Sequence, residues 1–164
     1  VRILAERGDL EDAQAVVDSM HAAWEKSGDT PLEAVYRHAA GLLAYARGNI
    51  DESIAFLEKA AEFYEGFWYQ YSLARACMES GRSEKTIQVL EKVIGRYGEH
   101  RLDNPIASVK AHYLLGLAYE QKGAQGKAIE QYERFLDIWK DADPDLDEVP
   151  DARRRLALLR EKQI

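Results

Sequence analysis

The stretch HYLLGLAYEQKGAQGKAIEQYERFL, His112 to Leu136, decides how the chain is read. Its second half sets Ile129, Tyr132 and Leu136 at helical spacing, which gives that segment one apolar face. Gly123 stands between the halves, and a glycine at a helix end takes the left-handed conformation that lets a chain reverse. The stretch therefore predicts two helices joined by a tight turn. The device recurs: AERGDLEDA, YARGNIDES, MESGRSEKT and EQKGAQGKA align on Gly8, Gly48, Gly81 and Gly123, at intervals of 40, 33 and 42 residues. Asp9 and Asn49, next to their glycines, suit the turn and can cap the helix that follows. Ile54, Leu57 and Ala61, then Ile87, Leu90, Val93 and Ile94, repeat the helical spacing. No stretch alternates with period two for long enough to predict a strand.

Prolines sit at the expected helix starts. Thr30-Pro31-Leu32-Glu33 reads as an N-cap threonine, a first-turn proline and a capping-box glutamate. Asn104-Pro105 repeats the cap-plus-proline device, and Asp147 with Pro150 opens a last helix. That helix turns Leu156 and Leu159 inward and leaves Arg153 and Arg160 in solvent, as a terminal cap requires. The predicted class is all-α, built of antiparallel helix pairs.

With those residues in place, the opening stretch resembles a tetratricopeptide repeat, whose pattern is W-x2-L-G-x2-Y followed by A-x3-F. Leu115-Gly116, Tyr119, Ala128 and Tyr132 match it, and His112 stands at the tryptophan position. Arg37 to Ala60 keeps Gly41 and Ala60 but carries Ala40, Ala44 and Ser53 at other signature places. Gln70 to Val93 keeps Leu73 and then has Ala74, Cys77 and Thr86, while Val1 to Trp24 holds a second half with Ala13 and Val17 in register. The resemblance implies one array over 1–164: a partial repeat at 1–27, repeats at 31–65, 66–98 and 104–140, and a capping helix at 147–162. It implies a right-handed superhelical α-solenoid in which Gly41, Ala74 and Gly116 let paired helices approach. The extra residues before Pro31 and Pro105, and the C-terminal tail, resemble the tetratricopeptide regions of larger bacterial regulatory proteins.

The segment EFYEGFWYQYSLA, Glu62 to Ala74, holds six of the sixteen aromatics. Gly66 divides it into a helix end and a helix start, and Phe67 to Ser80 is expected to be the first helix of a repeat. Phe63, Tyr64, Phe67 and Tyr69 are expected in the joint between repeats. Trp68, Tyr71, Ser72, Arg75 and Glu79 fall on one helical stripe, and Leu73, Ala74 and Cys77 on the adjoining packing stripe. In tetratricopeptide arrays the first helices line a concave groove that takes peptides. The equivalent positions elsewhere are Val35, His38, Leu42 and Tyr45, then Lys110, Tyr113, Leu117 and Gln121. The resemblance thus implies a partner-binding groove of His38, Leu42, Tyr45, Trp68, Tyr71, Arg75, Lys110, Tyr113 and Leu117. Aromatics beside arginine have the composition of binding hot spots. The Lys/Asn/Arg clamp that some family members use on a C-terminal carboxylate is not reproduced, because the corresponding places hold His38, Leu42, Ser72, Lys110 and Leu114.

Other chemistry finds little support. A net charge of −7 with scattered basic residues disfavours nucleic acid, whose phosphates need a concentrated basic surface. One cysteine, Cys77, allows no internal disulfide, and its mid-helix place suits a small core residue better than a nucleophile. The run DADPDLDE, Asp141 to Glu148, lacks the glycine and the final glutamate of a calcium loop and reads as a linker. His21, His38, His100 and His112 lie in separate elements without metal-ligand spacing. Neither a phosphate-cradling loop nor a nucleophile elbow is found, so a non-catalytic chain without cofactor or metal is expected. No apolar run approaches a membrane span. The opening VRILAERGDLEDAQ lacks both methionine and the pattern of a signal peptide. A cytoplasmic piece of a longer protein is expected, binding a protein or peptide segment. The alternative expectation is self-association, or a regulatory scaffold packed on an effector domain of the same chain.

Overall fold

A computed structural model describes residues 1–64, 66–95, 105–140 and 146–161, and all the regular structure among them is helical. The described helices are α1 (Arg2–Arg7), α2 (Leu10–Ser27), α3 (Thr30–Ala46), α4 (Ile50–Phe63), α5 (Phe67–Glu79), α6 (Ser83–Gly95), α7 (Pro105–Gln121), α8 (Gln125–Ile138) and α9 (Glu148–Glu161). The chain forms two compact units, Val1–Gly81 with α1 to α5 and Arg82–Ile164 with α6 to α9. Within each unit helices pack on their neighbours in sequence: α2 on α3, α3 on α4 and α4 on α5 in the first, and α6 on α7, α7 on α8 and α8 on α9 in the second. This is the expected all-helical repeat class. The expected Asn104 cap, His100 and residues 141–145 of the acidic run lie outside the described residues.

The turn glycines carry out the predicted reversal. Gly8, Gly48, Gly81 and Gly123 have φ between 73° and 83°, in the left-handed region that a side chain disfavours. A fifth, Gly28 at φ 64°, closes α2 by donating its N–H to the Trp24 carbonyl at 2.8 Å, a stop that lies outside the aligned glycine stretches. Gly66 works differently. Its backbone is extended at the start of α5, and a Cβ there would come 2.9 Å from the ring of the exposed Tyr64, so a side chain would have to displace that ring and φ sets no bar.

The small positions of the repeat signature permit close helix contact. A Cβ on Gly41 would lie 2.6 Å from Leu57 Cγ, and the Gly41 carbonyl accepts the Ser53 hydroxyl at 2.8 Å. A Cβ on Gly116 would lie 2.6 Å from the Tyr132 ring. Around these contacts the first unit buries Ala13 and Val17 of α2 against Ala39, Ala40 and Leu43 of α3, with Leu4, Tyr36 and Phe56 at the margin. The second unit buries Leu90, Leu115, Tyr132, Phe135 and Leu159.

Two local expectations are corrected. Asp29, not Thr30, caps α3: its carboxylate accepts the Leu32 N–H at 3.4 Å, which makes Thr30 the first helical residue. Glu33 then pairs with Arg37 at 2.6 Å across one helical turn. Phe63 and Tyr64 are not buried in the joint, being 41% and 60% exposed at the end of α4, although the Tyr64 ring still meets that of Tyr69 on α5 with centroids 5.5 Å apart. Phe67, at the start of α5, is buried instead.

Candidate functional site

Six of the nine expected groove residues belong to the first unit. His38, Leu42 and Tyr45 come from α3, and Trp68, Tyr71 and Arg75 from α5. Helical phase puts each trio on one stripe, and the packing of α3 with α5 makes the stripes neighbours. His38 Nε2 lies 2.9 Å from Ser72 Oγ, and its ring sits 4.6 Å from that of Tyr69. Burial pushes the His38 imidazole down to about 4, against the opposing effect of a hydrogen bond to the Trp68 backbone. His38 is therefore a neutral structural joint between the two helices at ordinary pH. Tyr71 is only 8% exposed, stacked on Phe67 at 5.9 Å and set edge-on to Trp68 at 6.2 Å.

What remains at the surface is a pair of arginine–aromatic contacts. The Arg75 guanidinium lies 5.1 Å over the Tyr45 ring, joining α5 to α3. The Arg2 guanidinium of α1 lies 4.7 Å over the half-buried Trp68 ring. Neither arginine has an ion pair among the described residues. A guanidinium stacked by its face on a ring still presents its N–H edge, so it can receive a carboxylate or carbonyl. Arg2 was not foreseeable from the stripe, because it reaches Trp68 from an element more than sixty residues earlier.

The other three expected residues, Lys110, Tyr113 and Leu117, lie on α7 in the second unit, where α9 engages two of them. Lys110 pairs with Glu148, and the Tyr113 hydroxyl donates to Asp151 at 2.8 Å. Arg155 donates to Asp151 at 2.5 Å and to Glu120 at 3.0 Å, and Glu120 also accepts the Tyr132 hydroxyl at 2.8 Å. Burial opposes the charge of Asp151, but the bonds from Arg155 and Tyr113 outweigh it and hold the carboxyl below its ordinary range. Burial, with the carboxylate each bonds, pushes the Tyr113 and Tyr132 hydroxyls upward. This network fastens α9 to α7 and α8. Leu117 is half-buried.

A second aromatic group escaped the sequence reading. Trp24 of α2 stacks on Tyr36 of α3 with centroids 5.6 Å apart and planes 12° apart, and Phe56 of α4 meets Tyr36 edge-on at 6.2 Å. His21 lies 4.6 Å from Tyr36. Their spacing in sequence gives no cluster. Among the described residues no group of His, Cys, Asp and Glu could hold a metal ion, and Cys77 is buried. No described helix is long and apolar enough to cross a membrane.

Paired helices with glycine-permitted contacts, left-handed glycine turns and a capping helix define a helical-hairpin repeat protein. The particular family follows from comparison with known proteins. One tetratricopeptide repeat model matches residues 1–66 and a second matches residues 109–138, together more than half of the chain. The chain belongs to the tetratricopeptide repeat family. No curated protein matches it in sequence. Its fold is similar to that of a kinesin-light-chain-like protein of Podosopora anserina with nearly identical TPR-like repeats: TM-score 0.75, 18% identity, 98% of this chain and 82% of that one. A point variant of that protein matches with the same TM-score at 19% identity, over 98% of this chain and 81% of that one. The ArsTM double mutant of MamA RS-1 matches with a TM-score of 0.63 at 16% identity, covering 99% and 93%. At these identities the likeness concerns the fold. Tetratricopeptide repeats mediate protein–protein interaction, which gives the chain its general role.

Proposed function

We propose that this chain is a non-catalytic interaction module whose first unit binds a peptide or protein segment on the face shared by α3 and α5. Tyr45, Trp68 and Arg75 make the contact, His38 and Tyr71 hold the two helices in register beneath it, and Leu42 adds apolar surface. Lys110, Tyr113 and Leu117 form the corresponding stripe of the second unit, where α9 takes the place of an external segment.

The observation that carries this reading is the stacking of Arg75 on Tyr45, repeated by Arg2 on Trp68. Both are surface arginine–aromatic pairs, and no acid among the described residues satisfies either guanidinium. Arginine and aromatic residues dominate the energetics of interfaces, and preformed stacking lowers the entropy lost when a partner arrives.

The test is a selection of peptides on the immobilised chain, followed by affinity measurements with Tyr45→Ala/Arg75→Gln and with Lys127→Ala on α8 as the control. The double variant is expected to weaken the selected peptides at least roughly tenfold, as hot-spot truncations do. The control should bind normally, and all forms should keep their helicity. Undiminished affinity of the double variant would overturn the proposal.

A further inference from the structure

A cleft of about 160 Å³ opens between α2, α3 and α4, on residues that the proposed binding face does not use. Its walls carry the rings of His21, Tyr36 and Phe56, and Asp18 and Glu52 line it as well. The rings are half-buried and already positioned by one another, so the walls need no rearrangement to accept a flat group. The volume is close to the ~150 Å³ of an apolar cavity that accepts benzene, and the planar end of a side chain is of that size.

The charges in the cleft select the occupant. Asp18 accepts the Gln14 amide at 2.7 Å and Glu52 accepts the Asn49 amide at 3.2 Å, each through one carboxylate oxygen. Arg47 also lines the cleft, and its Nη1 donates to Gln14 Oε1 at 2.8 Å, so it bonds a neutral amide there. Two carboxylates against one guanidinium leave the site net negative. An anionic group would meet repulsion, and a purely apolar one would desolvate Asp18 and Glu52 without replacing their hydrogen bonds to water. A guanidinium satisfies both parts of the site, stacking on ring faces while its N–H edge reaches the carboxylates. The molecule already uses this pairing beside the cleft: the Arg37 guanidinium lies 5.6 Å over Trp24, the ring that stacks on Tyr36.

We propose that this cleft is a second docking site, which takes the side chain of an arginine presented by a partner protein. Its position and its chemistry are independent of the face carrying Tyr45 and Arg75. The two sites can therefore be tested separately.

The probe is the peptide acetyl-Gly-Arg-Gly-amide, titrated into the isotope-labelled chain and followed by NMR. Saturable shifts are expected at Asp18, His21 and Phe56. The same peptide with citrulline, which keeps the shape of arginine but not its charge, should bind at least roughly tenfold more weakly, as should a lysine peptide. Asp18→Asn/Glu52→Gln should lose at least roughly tenfold in affinity with unchanged circular dichroism, whereas Tyr45→Ala/Arg75→Gln should bind as the parent does. The proposal is overturned by an absence of saturable shifts at the cleft, or by citrulline or lysine binding as well as arginine. It is also overturned if the Asp18/Glu52 variant binds undiminished.

Discussion

Replacing Gly116 by alanine sets two effects of opposite sign against each other. In a helix interior, alanine is favoured over glycine by about 1 kcal/mol, so Gly116→Ala should stabilise α7 if the new methyl had room. It has none. The added Cβ would lie 2.6, 2.8 and 3.1 Å from three atoms of the Tyr132 ring, where ordinary carbon contacts need ~3.5 Å or more. The ring cannot easily yield, because Tyr132 is fully buried and its hydroxyl is bonded to Glu120, which Arg155 holds in turn. Overpacking of this kind costs about 1–3 kcal/mol, and occasionally more. Subtracting the helix gain of about 1 kcal/mol leaves a net destabilisation of up to about 2 kcal/mol, toward the upper end because the ring is held in place. Gly126 supplies the control. It lies in the first turn of α8 with nothing within 4 Å of its added Cβ, so Gly126→Ala should be neutral or stabilising by up to about 1 kcal/mol. Urea denaturation followed by circular dichroism reads both, as shifts in midpoint at constant slope. A Gly116→Ala chain as stable as the parent would refute the steric account of the signature glycine.

Further tests probe other parts of the molecule. His38 is held near 4, below its unfolded value of about 6.5, so the unfolded chain binds the extra proton first. Its contribution is complete above the unfolded value and falls as pH drops toward the folded one, by on the order of 2 kcal/mol between about pH 7 and about pH 5. His38→Gln should flatten that part of the stability profile, and parallel profiles for parent and variant would contradict it. Tyr113→Phe deletes the bond to Asp151 and should cost about 1.5 kcal/mol in urea denaturation, whereas an unchanged midpoint would mean that α9 is held otherwise. Gly28→Ala forces a side chain into the left-handed region and should destabilise by roughly 1–2 kcal/mol, a loss absent if the end of α2 simply frays.

Much of the fold was legible because its signals are local. A left-handed glycine after a periodic helix is written in a few consecutive residues, and four such glycines repeat it. The signature positions Gly41 and Gly116 were legible too, since each faces a partner within its own hairpin, Leu57 and Tyr132. Local signals failed where two neighbouring residues compete. Asp29 and Thr30 are both competent caps, and only the bond to Leu32 shows which one the helix uses. Phe63 and Tyr64 are aromatic and adjacent to a turn, yet α4 ends so that neither is buried.

The binding face was only partly legible, for a reason that lies in geometry. Helical phase names the residues on a stripe but not what another element lays across it. Lys110 and Tyr113 have the same phase on α7 as Val35 and His38 have on α3, yet Glu148 and Asp151 meet them from α9. In sequence those two acids suit the start of a helix, and they serve that start while also reaching across to α7. Tyr71 and Arg75 show the same limit on one helix. They lie one turn apart on one stripe, but Phe67 and Trp68 cover the tyrosine while the arginine stands exposed on Tyr45. The burial of Tyr71 changes which substitutions can report on binding. Tyr71→Ala would remove a core ring and lower affinity through stability alone, so Tyr45 and Arg75 are the positions at which recognition can be separated from folding.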